Sequence, residues 1–327
     1  MKKYMLSNKE RYKTFCDEHP EIPLFMQYWW MEAASVGKEW DVLFYEENNR
    51  IKATFVYLIV KKFNFKFILQ PMLSQYSGLW IDYPPDITPT QKLNIEKKIM
   101  SNFIEQIESL KFAYFEQNFH YSVANWLPFH WKKYRQTTRY TYQIKDIKKL
   151  ENVYESFSYA KQKHIKKNND NLQIDISVSA EDFYNFHKEY LKQKGKGIEY
   201  SLNLFLTIYN ETIRREQGII VAIKDKNQNL HSALFVVWDK KSAYCLISAI
   251  NPQFKSDGAS TKMFWEAIKL VSNKTEIFDF EGSMTEGVAK SFQQFGTHQV
   301  PYFNIRKSKS FVFDVGVRLK NMPKKLL

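Results

Sequence analysis

Two α/β domains of similar architecture are what this sequence predicts, and three observations carry that expectation. The chain has 327 residues, more than a single hydrophobic core usually serves. Hydrophobic residues make up 44% and aromatics 17%, enough to fill sizeable cores and too much for a disordered chain. The patterning runs helix, strands, helix, strands, and repeats that order beyond a junction near Lys145, so domains over 1–145 and 146–305 are expected, with 306–327 available to complete the first.

In the first half, "PLFMQYWWMEAASVG" reads as a helix in which Phe25, Trp29 and Met31 or Ala33 share a face and Gly37 supplies a stop. "DVLFYEE", "IKATFVYLIV" and "FKFILQP" are β-branched and aromatic, and "ENNR" makes a hairpin turn between the first two. "ITPTQKLNIEKKIMSNFIEQIESL" predicts a long amphipathic helix with Leu93, Ile99, Phe103 and Ile107 near one face, before strands at "FAYFEQNF" and "RYTYQI".

The second half opens with a lysine-rich helix, "LENVYESFSYAKQKHIKKNND", then the strand "LQIDISV" and helices at "AEDFYNFHKEYLKQKG" and "NLFLTIYNETIRREQ". Three strands follow, "GIIVAI", "HSALFVVWD" and "SAYCLISAI", with "KDKNQN" and "KKS" as hairpin turns. The loop "NPQFKSDGAS" leads into a helix, the strand "EIFDF", the helix "TEGVAKSFQQFG" and a last strand "VPYFNIR".

The formal charge of +13 favours anionic partners. A chain rich in Lys, Asn, Ile, Tyr and Phe with its basic residues dispersed reaches such a charge through composition alone. Cys16 and Cys245 lie far apart and in no C-x-x-C pattern, so neither a disulfide framework nor a zinc site is expected, and a cytoplasmic setting fits. The start, "MKKYMLSNKERYK", lacks the apolar core of a signal peptide. The strongest apolar run, Ala53 to Val60, falls well short of the ~18 residues a membrane span needs.

Two stretches could carry chemistry. In "YCLISAINPQFKSDGASTKMFWEAIKLV" a strand meets a loop with Gly258, then a helix. The glycine lets a ligand approach the backbone, and the first-turn N–H groups form an anion site that suits a pyrophosphate. The bland alternative is that Ser256 or Asp257 caps the helix and Gly258 eases the turn. In "FDFEGSM", Ser283 and Glu286 have capping-box spacing, which makes Ser283 an expected N-cap. Glu281 is not needed for capping, and Gly282 beside it leaves room for a substrate. A Glu held partly out of water at a strand end has a raised pKa and can accept a proton from an attacking amine. Asp279, between Phe278 and Phe280, reads as buried and paired.

In the first half, Tyr76 and Trp80 beside Gly78 offer stacking faces for an acceptor sugar or peptide, with core packing as the commoner fate of such rings. "KQKHIKK", Lys161 to Lys167, reads as the solvated face of a helix, and Lys163 and Lys167 are the candidates if the acceptor carries phosphate. No cluster of His or carboxylates has metal-ligand spacing.

The series "YCLISAI", "KSDGAS", "FDFEGS" and "FQQFG" resembles the GNAT superfamily of N-acyltransferases, and within it the branch of the Fem peptidoglycan peptidyltransferases. "QPMLSQYSGLWID", "LPFHWKKYRQTTRYTYQI" and "VPYFNIRK" extend the resemblance over most of the chain. It implies tandem GNAT-like domains, each a mixed, mostly antiparallel sheet flanked by helices, and transfer of an acyl group from acyl-CoA, such as acetyl-CoA, to a primary amine. A metabolite, an amino sugar or a cell-envelope precursor would supply that amine. Ser248 and Ile250 would flank the pantetheine in the gap between two splayed strands. Lys255, Ser256, Asp257, Gly258, Ala259 and Ser260 would hold the pyrophosphate, Glu281 would be the base, and Tyr302 would join the acceptor residues.

At the loop's outer positions this chain has Lys255 and Ser260, where the superfamily prefers Gln or Arg and Gly or Ala. The Phe-Lys pair of the Fem enzymes becomes Phe292 and Gln293, which disfavours tRNA. The rivals are a Fem-type peptidyltransferase using aminoacyl-tRNA on a peptidoglycan precursor and a noncatalytic GNAT-like binding protein.

Overall fold

The computed structural model describes residues 6–309 apart from 168–170 and 256. The chain divides into two compact units, Met1–Arg139 with Pro301–Leu327, and Tyr140–Val300.

The first unit begins with α1 (Asn8–Glu18), which hydrophobic patterning misses because its outer face is fully polar. A capping box starts it: Ser7 Oγ accepts from the Glu10 N–H while the Glu10 carboxylate accepts from the Ser7 N–H. Tyr12, Phe15 and Cys16 point inward. The predicted helix from Pro23 is broken by an extended Gln27 into a 3₁₀ turn, Leu24–Met26, and α2 (Tyr28–Ala34). Next come β1 (Glu39–Glu47) and β2 (Arg50–Lys62), a hairpin whose turn residues Asn48 and Asn49 both take positive φ, as a tight turn of this hand requires. β3 (Phe65–Leu69) and β4 (Gly78–Ile81) also pair antiparallel with β2. After α3 (Pro89–Ser109), β5 (Tyr114–Asn118) lies parallel to β3. α4 (Leu127–Trp131) packs on α3, and residues 304–308 of the last strand pair antiparallel with β5.

Leu93 does not share the inward face of α3: it is 55% exposed, while Ile99, Met100, Phe103, Ile104 and Ile107 are buried. At ~100° per residue, six positions rotate Leu93 well away from Ile99. Glu96 takes the inward place, its carboxylate accepting from the Tyr83 hydroxyl and Asn125 Nδ2.

The second unit takes up the chain within β6 (Arg135–Lys145). The single lysine-rich helix expected next is two, α5 (Leu150–Ser156) and α6 (Tyr159–Lys167), because Phe157 turns extended (ψ 144) and buries its ring. There follow β7 (Leu172–Asp175), α7 (Ala180–Gln193), α8 (Leu202–Arg214), β8 (Gly218–Asp225), β9 (Leu230–Trp238), β10 (Ser242–Ile250), α9 (Ala259–Val271), β11 (Ile277–Asp279), α10 (Glu286–Gln293) and β12 (His298–Ser308). The sheet order is β6-β11-β10-β9-β8-β7, antiparallel except for the parallel pair β10–β11 that α9 connects. Met263, Phe264, Ala267 and Ile268 of α9 pack with Phe278, Phe280 and Phe295 into the unit's core.

Candidate active site

Short pairing opens the second unit's sheet. β10 and β11 run side by side only through Ser242–Ile277, Ala243–Phe278 and Tyr244–Asp279, because β11 ends there. Residues 245–250 of β10 continue with β9 on one side and, among the described residues, no ladder partner on the other. A bulge between Cys245 and Ile247 shifts the register against β9 and bends this free stretch. Its unpaired edge carries backbone N–H and C=O groups that an extended, amide-bearing ligand can use. Ser248 is exposed on this stretch and Ile250 half-buried.

Beyond β10, Asn251 caps a 3₁₀ turn, Pro252–Phe254, by accepting from the Gln253 N–H. Gly258 then takes φ 86° as the residue preceding α9, a conformation that favours glycine. Asp257 does the capping, its Oδ1 accepting from the Ala259 N–H at 2.7 Å. Its Oδ2 hydrogen-bonds His231 Nδ1 of β9, and the imidazole stacks on Phe254 at 3.7 Å and 5° with Nε2 3.3 Å from Asp225 Oδ2. The loop is thus pinned to β9. Lys255 is exposed, Ala259 buried and Ser260 half-buried, while Ser256 lies outside the described residues.

The end of β11 is built around a fully buried carboxylate. Asp279 accepts from the Thr141 hydroxyl, from Gln143 Nε2 at 2.8 Å, and from the Glu281 N–H at 2.7 Å. These bonds hold the turn that presents Glu281 in the left-handed region, φ 58°, a conformation costly for a residue with a Cβ. The Glu281 Oε1 atom is shut off from solvent and has no hydrogen-bond partner among the described residues. Burial, and then the neighbouring Asp279 charge, push its carboxyl well above the usual range. On the facing stretch of β10, burial and the charges of Asp279 and Glu281 likewise push the Cys245 thiol up, which keeps it protonated and unreactive. A carboxyl that is strained, unpaired and reluctant to ionise is suited to exchanging a proton with a ligand.

Gly282 follows with φ 64°, and a Cβ there would lie 2.2 Å from the Tyr140 carbonyl oxygen and 3.0 Å from Thr141 Cα. Both the conformation and the passing β6 backbone therefore demand glycine, and the space expected beside Gly282 for a substrate is taken by that backbone. Gly282→Ala should cost about 2–4 kcal/mol, read as a lower urea midpoint with an unchanged slope.

Several expectations change. Ser283 is not the N-cap of α10: the helix starts at Glu286 with Thr285 as cap residue, and Ser283 Oγ accepts from the Thr285 N–H at 3.0 Å. Intervening residues form a turn in place of a first helical turn, so Ser283→Ala should shift thermal stability by less than about 1 kcal/mol. Lys161 is not on a solvated face but 9% exposed, against α9 and α10. Its signal was present: Phe157, Lys161 and Ile165 recur at helical spacing, and all three are buried. Lys163 is exposed on α6, and the Lys167 side chain lies outside the described residues. In the first unit, Tyr76 is a core side chain, 1% exposed, with edge contacts to Phe25 and His120, and presents no open stacking face. Trp80 is half-buried against Phe15 and His19, and Tyr302 is buried on β12. The His231–Asp257 link could not be read from residues 26 positions apart.

Among the described residues, no group of His, Cys, Asp or Glu could hold a metal ion. Nor, among those residues, is any helix long and apolar enough to cross a membrane.

No protein-family model matches the chain, and neither does any curated protein sequence. Solved structures do. FemX superimposes with a TM-score of 0.67 at 12% identity, over 92% of this chain and 96% of FemX. The C-terminal domain (DUF2156) of a putative lysylphosphatidylglycerol synthetase from Agrobacterium fabrum gives 0.57 at 9% identity, over 96% and 95%. A tandem GNAT protein from the clavulanic acid biosynthesis pathway gives 0.55 at 6% identity, over 93% and 95%. The fold is the tandem GNAT-like fold in its Fem-like form.

Proposed function

We propose that this protein transfers an acyl group from an acyl-CoA to a primary amine of a metabolite, amino sugar or cell-envelope precursor. The observation that carries the reading is the free edge of β10, flanked by the glycine loop before α9 and by the unpaired Glu281 carboxyl. A CoA thioester supplies an activated carbonyl, an arm of amides and a pyrophosphate. The residues fit each part: residues 245–250 offer backbone partners for the arm, and Gly258 offers close approach to the positive end of α9, where Asp257 takes the Ala259 N–H and the Gly258 carbonyl those of Thr261 and Lys262, so that an anion would meet the Ser260 N–H and the helix dipole.

Glu281 takes the proton that the amine loses as its nitrogen bonds to the acyl carbon and the carbon–sulfur bond breaks. The raised pKa makes the carboxylate a stronger base than an ordinary glutamate. Glu281 is half-buried, and uptake at its shut-off Oε1 also satisfies an oxygen that has no hydrogen-bond partner among the described residues.

Acyl-CoA at about a hundredfold over its dissociation constant should stabilise the fold by ~2.7 kcal/mol, measurable as a raised melting temperature. No shift across a panel of CoA thioesters at millimolar concentration would remove acyl-CoA as donor. The charge of +13 favours a second donor, aminoacyl-tRNA. That reading requires binding that depends on the attached amino acid, and not only on salt.

A further inference from the structure

Lys161 is a buried cation without a counter-ion. The residue is 9% exposed on α6, and among the described residues no carboxylate stands within ion-pair distance of its ammonium. Neutral groups surround it: Nζ donates to Ser291 Oγ of α10 at 3.2 Å, lies 3.5 Å from Thr261 Oγ1 of α9, and sits 4.3 Å over the Phe295 ring. Hydroxyls and a ring orient an ammonium, but they do not neutralise it. A lone buried charge is costly, and a methionine would fill the same space without that cost. Burial accordingly pushes the Lys161 pKa down to about 8.

The position of this charge is informative. Thr261 lies in the first turn of α9, directly after the glycine loop, and Ser291 lies on α10, the helix that follows the Glu281 turn. Lys161 therefore touches both helices that leave the open edge of the sheet. The loop itself brings a carboxylate, Asp257, to the start of α9. An incoming anion would meet that negative charge unless a cation offsets it, and Lys161 brings one to Thr261 in the same first turn.

We propose that Lys161 is a binding residue for a phosphate-type oxyanion of a substrate, held ready by Thr261 and Ser291. This rests on the reading of the glycine loop as an anion site, and the anion can come from the pyrophosphate of an acyl-CoA or from a phosphorylated acceptor. Lys163, exposed on the same helix, is not required for it.

The test is calorimetric titration of the full chain with CoA, pantetheine and inorganic pyrophosphate, on wild type, Lys161→Met and Lys166→Met. Lys166 is exposed on α6, so its variant removes the same charge from the same helix. Lys161→Met should melt at or above the wild-type temperature and lose about tenfold or more in affinity for CoA and pyrophosphate, with pantetheine unaffected. Lys166→Met should change each affinity by less than about twofold. Equal CoA and pyrophosphate binding by wild type and Lys161→Met would overturn the inference and leave the acyl-CoA reading standing. Pyrophosphate binding that depends on Lys161, without any CoA binding, would keep the inference, assign the phosphate to the acceptor and remove acyl-CoA as donor. Failure of wild type to bind either phosphate compound would overturn both. A Lys161→Met protein that does not fold would also overturn the inference, since the charge would then be needed for structure.

Discussion

Glu281→Gln should lower the rate of acyl transfer by about 10²-fold or more, while the variant folds at least as well as the parent at neutral pH. Gln keeps the shape but cannot take the amine's proton. The stability half follows from the raised carboxyl pKa. Between the ordinary Glu value of about 4.5 and the raised folded value, the unfolded chain has released the Glu281 proton and the folded chain has not. The folded state then binds more protons, so stability falls as pH rises through that window. Gln abolishes this contribution, and the gap between variant and parent melting temperatures should widen from acid to neutral pH. In the parent, kcat/KM should climb with pH as Glu281 ionises. A pH profile of activity beside melting curves at several pH values checks both halves. Equal turnover in Glu281→Gln and the parent would take Glu281 out of the chemistry.

Asp279→Ala should cost about 3–5 kcal/mol. The carboxylate is fully buried, and its removal leaves the Thr141 hydroxyl, the Gln143 amide and the Glu281 N–H without their acceptor. The last loss bears on function, because that bond pins Glu281 in its left-handed conformation. Residual activity of any folded fraction should therefore fall as well, although Asp279 itself is a positioning residue. Asp279→Asn separates the two effects: it keeps the shape and one acceptor oxygen, so it should recover part of the stability and leave kcat lowered. Chemical denaturation with kinetics on the folded fraction measures both.

Much of the fold is local, and so legible in sequence. The β1–β2 hairpin follows from alternating β-branched and aromatic runs around Asn48 and Asn49, whose tolerance of positive φ fixes the turn. The buried, bonded state of Asp279 follows from the phenylalanines on either side. What escaped depends on partners distant in sequence. α1 is held by Tyr12, Phe15 and Cys16 against the first unit's core, which no pattern within Asn8–Lys13 announces. The break at Phe157 arises because its ring meets Trp265 and Phe295, more than 100 residues on. At the site, the need for glycine at 258 and 282 is legible, but the space beside Gly282 belongs to the β6 backbone and not to a ligand, and the left-handed turn, the orphaned Oε1 and the free edge of β10 come from where β11 ends and how it pairs with β6. Lys161 looked like one surface lysine among several because charge is a poor guide to burial when a neighbouring helix supplies hydroxyls.

The most direct test of the account is a transfer assay with two labelled donors. Wild-type protein and Glu281→Gln are each incubated with an acyl-CoA labelled in the acyl group, and separately with aminoacyl-tRNA labelled in the amino acid. Each reaction contains a panel of amine-bearing metabolites, amino sugars and cell-envelope precursors, and label in an acceptor is followed with time. The account predicts label from acyl-CoA in the wild-type reaction, about 10²-fold slower in Glu281→Gln, and none from aminoacyl-tRNA. Label delivered from aminoacyl-tRNA alone, or from acyl-CoA at the same rate with either protein, would contradict it.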